Sequence, residues 1–123
     1  MDHVILGFTS LGIDGLLQYL NAQELATYGV RDDQGVLTRV LVATDLGVIE
    51  LVIKNELPVD GSLHPWHRVG AVLAWSSSAV PPAPEYRLTL SFLADPLPAP
   101  EVGGPERHSW DDFRRFVMER AAA

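Results

Sequence analysis

The segment from Val36 to Lys54, VLTRVLVATDLGVIELVIK, restricts the possible folds of this chain more than any other segment. Valine, isoleucine, leucine and threonine dominate both of its halves, and these side chains favour β-strands. The halves are separated by Asp45, Leu46 and Gly47, which suit a turn because Asp can hydrogen-bond into it and Gly can adopt a positive φ. The segment therefore predicts a β-hairpin.

Two registers of this hairpin are compatible with its sequence. A three-residue loop, Asp45–Gly47, avoids a positive φ at Leu46 and sets Thr44 opposite Val48. That loop also places apolar side chains together on one face: Leu41, Ala43, Ile49, Leu51 and Ile53. A two-residue loop instead gathers charged side chains on the outer face: Arg39, Glu50 and Lys54. A one-residue slip exchanges the faces, so only one register can be present, and the turn chemistry favours the three-residue loop.

The second face of the hairpin stays apolar in either register, so we expect another element to cover it. A helix is predicted in front of the sheet, because apolar residues recur there at helical spacing: Ile13, Leu16, Leu17 and Leu20. Ser10 can cap the start of this helix and Asn21 can end it. Gly12 and Gly15 each weaken it by about 1 kcal/mol relative to Ala, so it needs tertiary packing. We therefore expect its apolar stripe to cover the hairpin.

Further strands are predicted where apolar and polar residues alternate. Three segments have this pattern: Gln23–Arg31, His67–Ser76 and Tyr86–Ala94. The turn cluster Asp32–Gly35 joins the first of them to the hairpin, which gives a three-stranded antiparallel meander over about residues 23–54. A connection is indicated over residues 55–65 by its breakers: Pro58, Gly61 and Pro65. An additional strand could lie within that connection or within residues 97–104.

A C-terminal helix is predicted over residues 109–121. Ser109 is a good N-cap, and Asp112 three residues later completes an imperfect capping box. Apolar and aromatic residues form one stripe along this helix: Trp110, Phe113, Phe116 and Val117. Because burying such side chains is worth about 1.5–3 kcal/mol each, the helix must dock on the sheet.

The length and the composition indicate one domain with one core. The chain has 123 residues, of which 47% are hydrophobic. We expect an α+β, mainly antiparallel β domain with a helical N-terminal extension (1–22), a β-sheet region (23–94), a Pro/Gly-rich linker (95–108) and the C-terminal helix (109–121). The apolar run at residues 4–6 is either an edge strand or a lead-in to the first helix.

The charge and the cysteine count argue against several classes of protein. The net charge of −7 disfavours nucleic acid and anionic membranes as partners, because both require clustered Lys and Arg. The chain has no cysteine, which leaves no disulfide frame and no thiolate site. No stretch has the pattern of a signal peptide, and no run approaches the roughly 18 apolar residues of a membrane span. We expect a cytoplasmic protein.

Three stretches, VLVATDLGVIELV, HPWHRVGAVLAW and SWDDFRRFVMER, follow one another in an order that resembles a bacterial pleckstrin-homology (PH)-like domain. The resemblance covers about residues 23–121. It implies a bent antiparallel barrel or sheet of five to seven strands, with the C-terminal helix plugging one open corner. It also implies a binding module for proteins, peptides or, in some members, lipid headgroups. The acidic loop Asp32-Asp33 takes the place of the basic loop that lipid-binding members carry.

A small set of residues forms the candidate binding site: Trp66, His67, Arg68 and Arg39. Of the tryptophans, Trp66 is the one expected to be exposed, and exposed aromatic side chains concentrate binding energy. Basic residues on the strands or at their ends could bind a phosphate or carboxylate if they converge: Arg31, Arg39, Lys54, Arg68 and Arg87. The alternative is that these cations are scattered over the surface.

No catalytic residue, metal or cofactor is predicted. His64 and His67 lie three residues apart, but Pro65 disfavours the helix that would bring their imidazoles together, so a strand entrance is the expected role. His108 beside two aspartates has the parts of a general base and equally those of an ordinary helix start. The serines at 76–78 lack the glycines of a nucleophile elbow.

The expected function is a non-catalytic binding or assembly module with a protein or peptide partner. Such a module can self-associate through an uncovered strand edge or through the outer face of the meander. The first alternative is a small-molecule or lipid carrier or sensor with an apolar pocket between sheet and C-terminal helix, lined by Trp75, Tyr86, Phe92 and Phe113. The second is a hydrolase or metal enzyme built around His64, His67 and His108. Fold analogy alone does not choose among them.

Overall fold

The computed structural model describes residues 8–77 and 84–122, with side chains described for residues 13–77 and 85–122. Its elements in chain order are α1 (Phe8–Leu20), β1 (Glu24–Arg31), β2 (Leu37–Thr44), β3 (Gly47–Lys54), β4 (Leu57–Pro65), a 3₁₀ turn (Trp66–Arg68), β5 (Ala71–Ser77), β6 (Pro84–Leu90), β7 (Leu97–Pro98) and α2 (Arg107–Arg120). The apolar run at residues 4–6 and the proline-rich stretch at 78–83 lie outside the described residues.

Two antiparallel sheets form the body of the protein. One contains β1-β2-β3-β4 in that order and the other contains β5-β6-β7. The predicted α+β class, the antiparallel sheets and the two flanking helices are confirmed, with seven strands in the described part of the chain. The two sheets are not joined into a closed barrel within these residues.

The central hairpin adopts the two-residue loop, so the three-residue register favoured from the sequence is wrong. Ala43 pairs with Val48, and β3 begins directly at Gly47. The buried Thr44 side chain explains this choice. Its Oγ1 accepts hydrogen bonds from the backbone N–H groups of Leu46 (3.1 Å) and Gly47 (3.2 Å), and it donates to the Gly47 carbonyl (2.8 Å). This hydroxyl closes the turn without requiring a positive φ at Leu46.

Gly47 is required at the start of β3 because the neighbouring strand leaves no room for a side chain. A Cβ built on it would lie 2.1 Å from the carbonyl oxygen of His64 and 2.7 Å from the Cα of Pro65. Both atoms belong to the backbone of β4, which pairs directly against β3 at this point. Only a residue without a side chain lets these two strands approach so closely.

Residues 57–65 form the full strand β4, so the predicted connection over 55–65 is wrong and its alternative, an additional strand, is present. Asn55 and Glu56 both have positive φ, 51° and 67°, which is the backbone of a two-residue type I′ hairpin turn. Pro58 is tolerated because β4 is the outer strand of its sheet. The second additional strand is the short β7 at Leu97–Pro98.

Helix α1 covers one face of the four-stranded sheet, as predicted. Leu16 and Leu17 are buried against apolar side chains of β2 and β3: Val42, Ile49, Leu51 and Ile53. Asn21 ends the helix with a φ of 54°, and Ala22 N–H donates to the Leu17 carbonyl at 2.9 Å.

Helix α2 docks on the other face, between the two sheets. Trp110, Phe113 and Val117 are at most 1% exposed and pack with residues of both sheets. The Phe113 and Tyr28 ring centroids lie 6.3 Å apart. The predicted helix start is wrong by two residues, because α2 begins at Arg107 and Ser109 lies inside it. The first turn is closed by the backbone, since Trp110 N–H donates to the Glu106 carbonyl at 3.0 Å.

Two strand boundaries also differ from the prediction. The segment after Pro65 first forms the 3₁₀ turn, so β5 begins at Ala71 and not at His67. Strand β6 ends at Leu90 and not at Ala94, because Leu93 N–H turns back to the Leu90 carbonyl at 3.0 Å. The face assignments hold, since Leu88 and Leu90 are buried in the core.

Candidate binding surface

Strand β5 has an open edge. It is the outer strand of the three-stranded sheet and pairs with β6 on one side only. At its start the Val69 carbonyl accepts a hydrogen bond from Ala122 N–H at 2.9 Å, in a parallel bridge between Gly70 and Ala122. Beyond Gly70 no described residue pairs with this edge. The outer edge of β5 is therefore already paired with the extended backbone of Ala122 where the strand begins.

The hydrogen-bond pattern tells which groups of β5 face outward. Ser91 N–H donates to the Gly70 carbonyl at 2.9 Å, so Gly70 points its carbonyl toward β6. In an antiparallel ladder the direction alternates with each residue. Val72 and Ala74 therefore bond to β6, whereas Ala71, Leu73 and Trp75 direct their N–H and C=O groups away from β6. The Ala71 N–H faces Ala122 in the parallel bridge, and the outward backbone groups of Leu73 and Trp75 have no partner among the residues described.

The sequence of β5 carries none of the devices that normally protect such an edge. Charged side chains, prolines and bulges keep edge strands from pairing with other chains. The strand AVLAWSS has no charged residue and no proline, and its pairing with β6 runs without a register shift. By contrast, the outer strand β4 contains Pro58 and a register shift opposite Val52 and Ile53.

Two large apolar side chains of β5 are exposed. Trp75 is 66% exposed and Val72 is 61% exposed, and they lie on opposite faces of the strand. We expected Trp66 to be the exposed tryptophan, but it is half-buried, and its Nε1–H donates to the Thr44 carbonyl at 2.8 Å. That bond ties Trp66 to the end of the central hairpin, which leaves Trp75 as the exposed tryptophan.

A pocket of about 320 Å³ lies beside this edge, between the second sheet and α2. Leu73 and Tyr86 line it from the strands, and Arg107, Trp110 and Arg114 line it from the helix. The helical residues are spaced so that they share one face of α2. A strand added to β5 would direct alternate side chains toward this pocket.

The pocket contains hydrogen-bond donors without acceptors. Trp110 is 1% exposed, and its Nε1–H has no partner among the described residues. Arg114, which is half-buried, likewise has no ion pair or hydrogen bond within the described part of the chain. Arg107 is satisfied: it binds the Asp111 carboxylate at 3.2 Å and the Pro100 carbonyl at 3.0 Å. The unsatisfied chemistry of the pocket is therefore donating and partly cationic.

A larger open groove, of about 970 Å³, lies between the first sheet and residues 93–100. Three of the predicted cations converge there: Arg31, Arg39 and Lys54. Arg31 is paired with Glu106 (2.9 Å), however, and Arg39 is paired with Glu50 (3.0 Å). The groove is also lined by Asp32, Asp33 and Asp95. With two cations neutralised and three further carboxylates present, this groove is a poor anion site.

Arg39 belongs to a polar cluster that ties three strands together. The Glu50 carboxylate accepts from Arg39 Nη1 at 3.0 Å and from His64 Nε2 at 2.9 Å, on β2 and β4 respectively. The His64 ring stacks on Phe92, with centroids 3.9 Å apart and planes 9° apart. Arg39 and Glu50 share a face of the sheet, as the two-residue loop requires. That face is not the outer one, because it also carries the apolar residues that pack toward α2.

The predicted binding residues are thus placed in two environments. Trp66, His67 and Arg68 form the 3₁₀ turn, with His67 and Arg68 exposed. Arg39 is held by Glu50 on the inner face of the first sheet. No contact between Arg39 and that turn is present among the described residues, so their joint role stays a prediction.

The histidines have separate partners. His64 lies against Glu50 and Phe92, and the exposed His108 pairs with Asp112 at 3.2 Å. In the part of the chain that the structure describes, no group of three potential metal ligands is assembled. His64 and His108 thus belong to separate polar contacts: His64 to the Glu50 carboxylate that also binds Arg39, and His108 to Asp112.

The apolar pocket predicted for a carrier is only partly assembled. Tyr86 lines the pocket beside α2, but Phe113 is fully buried in the core and Phe92 is stacked on His64. Trp75 lies opposite Tyr86 across the β5–β6 ladder and is largely exposed.

The sequence reasoning missed the arginines of the α2 pocket. Arg107 and Arg114 flank Trp110 at i−3 and i+4, so the helical period places all three on one face. That spacing could have predicted a shared site on the helix. The absence of charged residues in β5 could have predicted an unprotected strand edge.

No α-helix within the described residues is long and apolar enough to cross a membrane. Comparison of the chain with protein families, with curated proteins and with solved structures found no match.

Proposed function

We propose that this protein is a non-catalytic protein-binding module that holds an extended segment of a partner by adding it as a strand to β5. The observation that carries the proposal is the open edge of β5, with the outward backbone groups of Leu73 and Trp75. The bridge between Ala122 and Gly70 supports it, because extended backbone already pairs at the start of the same edge.

Strand addition fits the chemistry of this edge. Each backbone hydrogen bond formed contributes about 0.5–1.5 kcal/mol net, and side chains on alternate positions supply specificity. The exposed side chains of Trp75 and Val72 lie on the two faces that an added strand would also present. Aromatic side chains are enriched among residues that dominate binding energy.

We also propose that the chain is a PH-like domain. The seven strands followed by a helix docked between two antiparallel sheets support this proposal, since the resemblance implied five to seven strands and a capping helix. The acidic loop at Asp32 and Asp33 lies at the mouth of the large groove, which disfavours anionic lipid headgroups there. A protein or peptide partner is therefore the better candidate, and we place the protein in the cytoplasm as part of this proposal.

The experiment is a selection from a library of random heptapeptides against the folded domain, with the selected peptides titrated against two variants at one position. Both variants remove the indole. Trp75→Pro also removes an outward N–H, whereas Trp75→Thr keeps it. Because Trp75 does not bond to β6, proline there is compatible with an edge strand. We expect Trp75→Pro to bind about fivefold more weakly than Trp75→Thr, as the loss of one hydrogen bond predicts.

Equal affinities for the two variants would contradict strand addition, provided that circular dichroism shows both folded. Failure to select any peptide would contradict it as well. If the wild-type domain dimerises in light scattering and Trp75→Pro is monomeric, the partner strand is β5 of a second copy, which is the self-association form of the same function.

A small-molecule carrier is the second candidate, because a pocket does lie between the second sheet and α2. Its volume of about 320 Å³ is at the lower limit for ligand sites. Its lining includes two arginines and a carboxylate, which favours a small polar ligand over a lipid.

A further inference from the structure

The pocket between α2 and the second sheet carries more positive than negative charge. It is lined by one carboxylate, Asp111, and by two guanidinium groups. Asp111 is already bound by Arg107, whose Nε lies 3.2 Å and 3.3 Å from the two carboxylate oxygens. Arg114, which lines the same pocket as Trp110, has no ion pair among the described residues, so its positive charge is not neutralised there.

The buried indole N–H is the second, independent observation. Buried polar groups in folded proteins nearly always have a hydrogen-bond partner, and leaving one unsatisfied costs about 1–3 kcal/mol. Trp66 shows the usual outcome in the same molecule, since its Nε1–H binds a backbone carbonyl at 2.8 Å. Because Trp110 lines the pocket, a bound group that supplied an acceptor to this N–H would remove that cost.

The position of the pocket determines where that acceptor comes from. Side chains of a strand added to β5 alternate between the two faces of the sheet. Those on the face of Leu73 point toward α2, and Leu73 itself lines the pocket. We therefore expect a partner segment paired with β5 to direct a side chain toward the pocket lined by Arg114 and Trp110.

We infer that the partner segment bound at β5 carries an acidic side chain whose carboxylate enters this pocket, paired with Arg114 and accepting from Trp110 Nε1–H. This inference rests on the proposed function, because the strand addition presents the carboxylate. The net charge of −7 does not oppose it, since charges farther away than about 8 Å are largely screened at physiological ionic strength.

The test uses two capped heptapeptides, Thr-Val-Thr-Glu-Thr-Val-Thr and the same peptide with Gln in place of Glu, titrated into ¹⁵N-labelled protein. Backbone amides of β5 report strand addition. The indole N–H signal of Trp110 reports the pocket, with those of Trp66 and Trp75 as internal references. A third probe, N-acetylglutamate methylamide, carries the carboxylate but is too short to form a strand.

We expect the Glu peptide to bind about tenfold more tightly than the Gln peptide, which corresponds to about 1.4 kcal/mol, and to shift the Trp110 indole signal downfield. Arg114→Gln should reduce that preference to less than about twofold, because the charge-assisted bond is lost. The matched control is Arg115→Gln, one position away on the exposed side of α2, where Arg115 pairs with Asp112 at 3.4 Å. This control should keep the preference.

The outcomes separate the two claims. If both peptides perturb β5 with equal affinity, the acidic preference is overturned and strand addition stands. If neither peptide perturbs β5 but N-acetylglutamate methylamide shifts the Trp110 indole, strand addition is overturned and the carboxylate pocket stands as a small-ligand site. If none of the three probes has an effect, both claims are overturned.

Discussion

Replacing Thr44 by valine should destabilise the protein strongly although the two side chains have nearly the same shape. Thr44 is fully buried, and its hydroxyl makes three hydrogen bonds to the turn backbone, two to Gly47 and one to Leu46. Valine fills the space but leaves those backbone groups without a partner. Leu46 N–H can turn to water because Leu46 is exposed, but Gly47 is buried.

The expected loss follows from the two buried groups of Gly47. Each unsatisfied buried group costs about 1–3 kcal/mol, so Thr44→Val should lower the free energy of unfolding by about 2–6 kcal/mol. That is a large part of the roughly 5–15 kcal/mol that holds a domain together. Thr44→Ser keeps the hydroxyl and loses one methyl group, so it should cost only about 1 kcal/mol.

The assay is urea denaturation followed by tryptophan fluorescence. With a slope of about 2 kcal/mol/M, the midpoint of Thr44→Val should fall by roughly 1–3 M. Thr89→Val, at an exposed position of β6, is the control and should change the free energy of unfolding by less than about 0.5 kcal/mol. A Thr44→Val variant as stable as this control would refute the role of the hydroxyl in setting the hairpin register.

Two further predictions concern a backbone contact and a pH dependence. Gly47→Ala should cost at least about 3 kcal/mol or prevent folding, because the new Cβ would lie 2.1 Å from the His64 carbonyl oxygen. Gly35→Ala is the control: with φ 80° and nothing within 4 Å, it should cost only about 1–2 kcal/mol in the same urea assay. Equal costs for the two variants would contradict the role of this contact. Burial, and next the Glu106 carboxylate, raise the pKa of Tyr28 above 10.0. The stability that neutral Tyr28 contributes is therefore complete below about pH 10 and is lost as the pH rises through the folded-state pKa. Urea unfolding from about pH 9 to about 11.5 should show this loss in the wild type and less of it in Tyr28→Phe, whereas identical profiles would contradict it.

Periodicity predicted most of the fold from the sequence. The stripe of α1 and its packing on the hairpin followed from the spacing of Leu16 and Leu17, and the buried face of α2 followed from Trp110, Phe113 and Val117. These elements were predictable because burial of one face is a local property of the pattern.

What the sequence did not reveal depended on single hydrogen bonds and on unusual backbone conformations. The hairpin register was decided by the Thr44 hydroxyl, which closes the two-residue turn while Leu46 keeps a negative φ. Strand β4 was hidden because its turn places Glu56, a residue that rarely adopts positive φ, at 67°.

The candidate site was less predictable than the fold. The predicted residues Trp66, His67 and Arg68 lie on a turn, whereas the open edge and the α2 pocket arise from strand order, which sequence patterns do not specify. The spacing of Arg107 and Arg114 around Trp110 was visible in the sequence, but its meaning depends on which strand lies opposite the helix.

Residue-resolved amide hydrogen exchange along β5 measures whether this edge is free to accept a partner strand. The account predicts an alternating pattern in the free protein: fast exchange at Leu73 and Trp75, whose N–H groups face the open edge, and slow exchange at Val72 and Ala74, which bond to β6. Uniform slow exchange from Val72 to Trp75 would show that the edge is already covered and would contradict strand addition there.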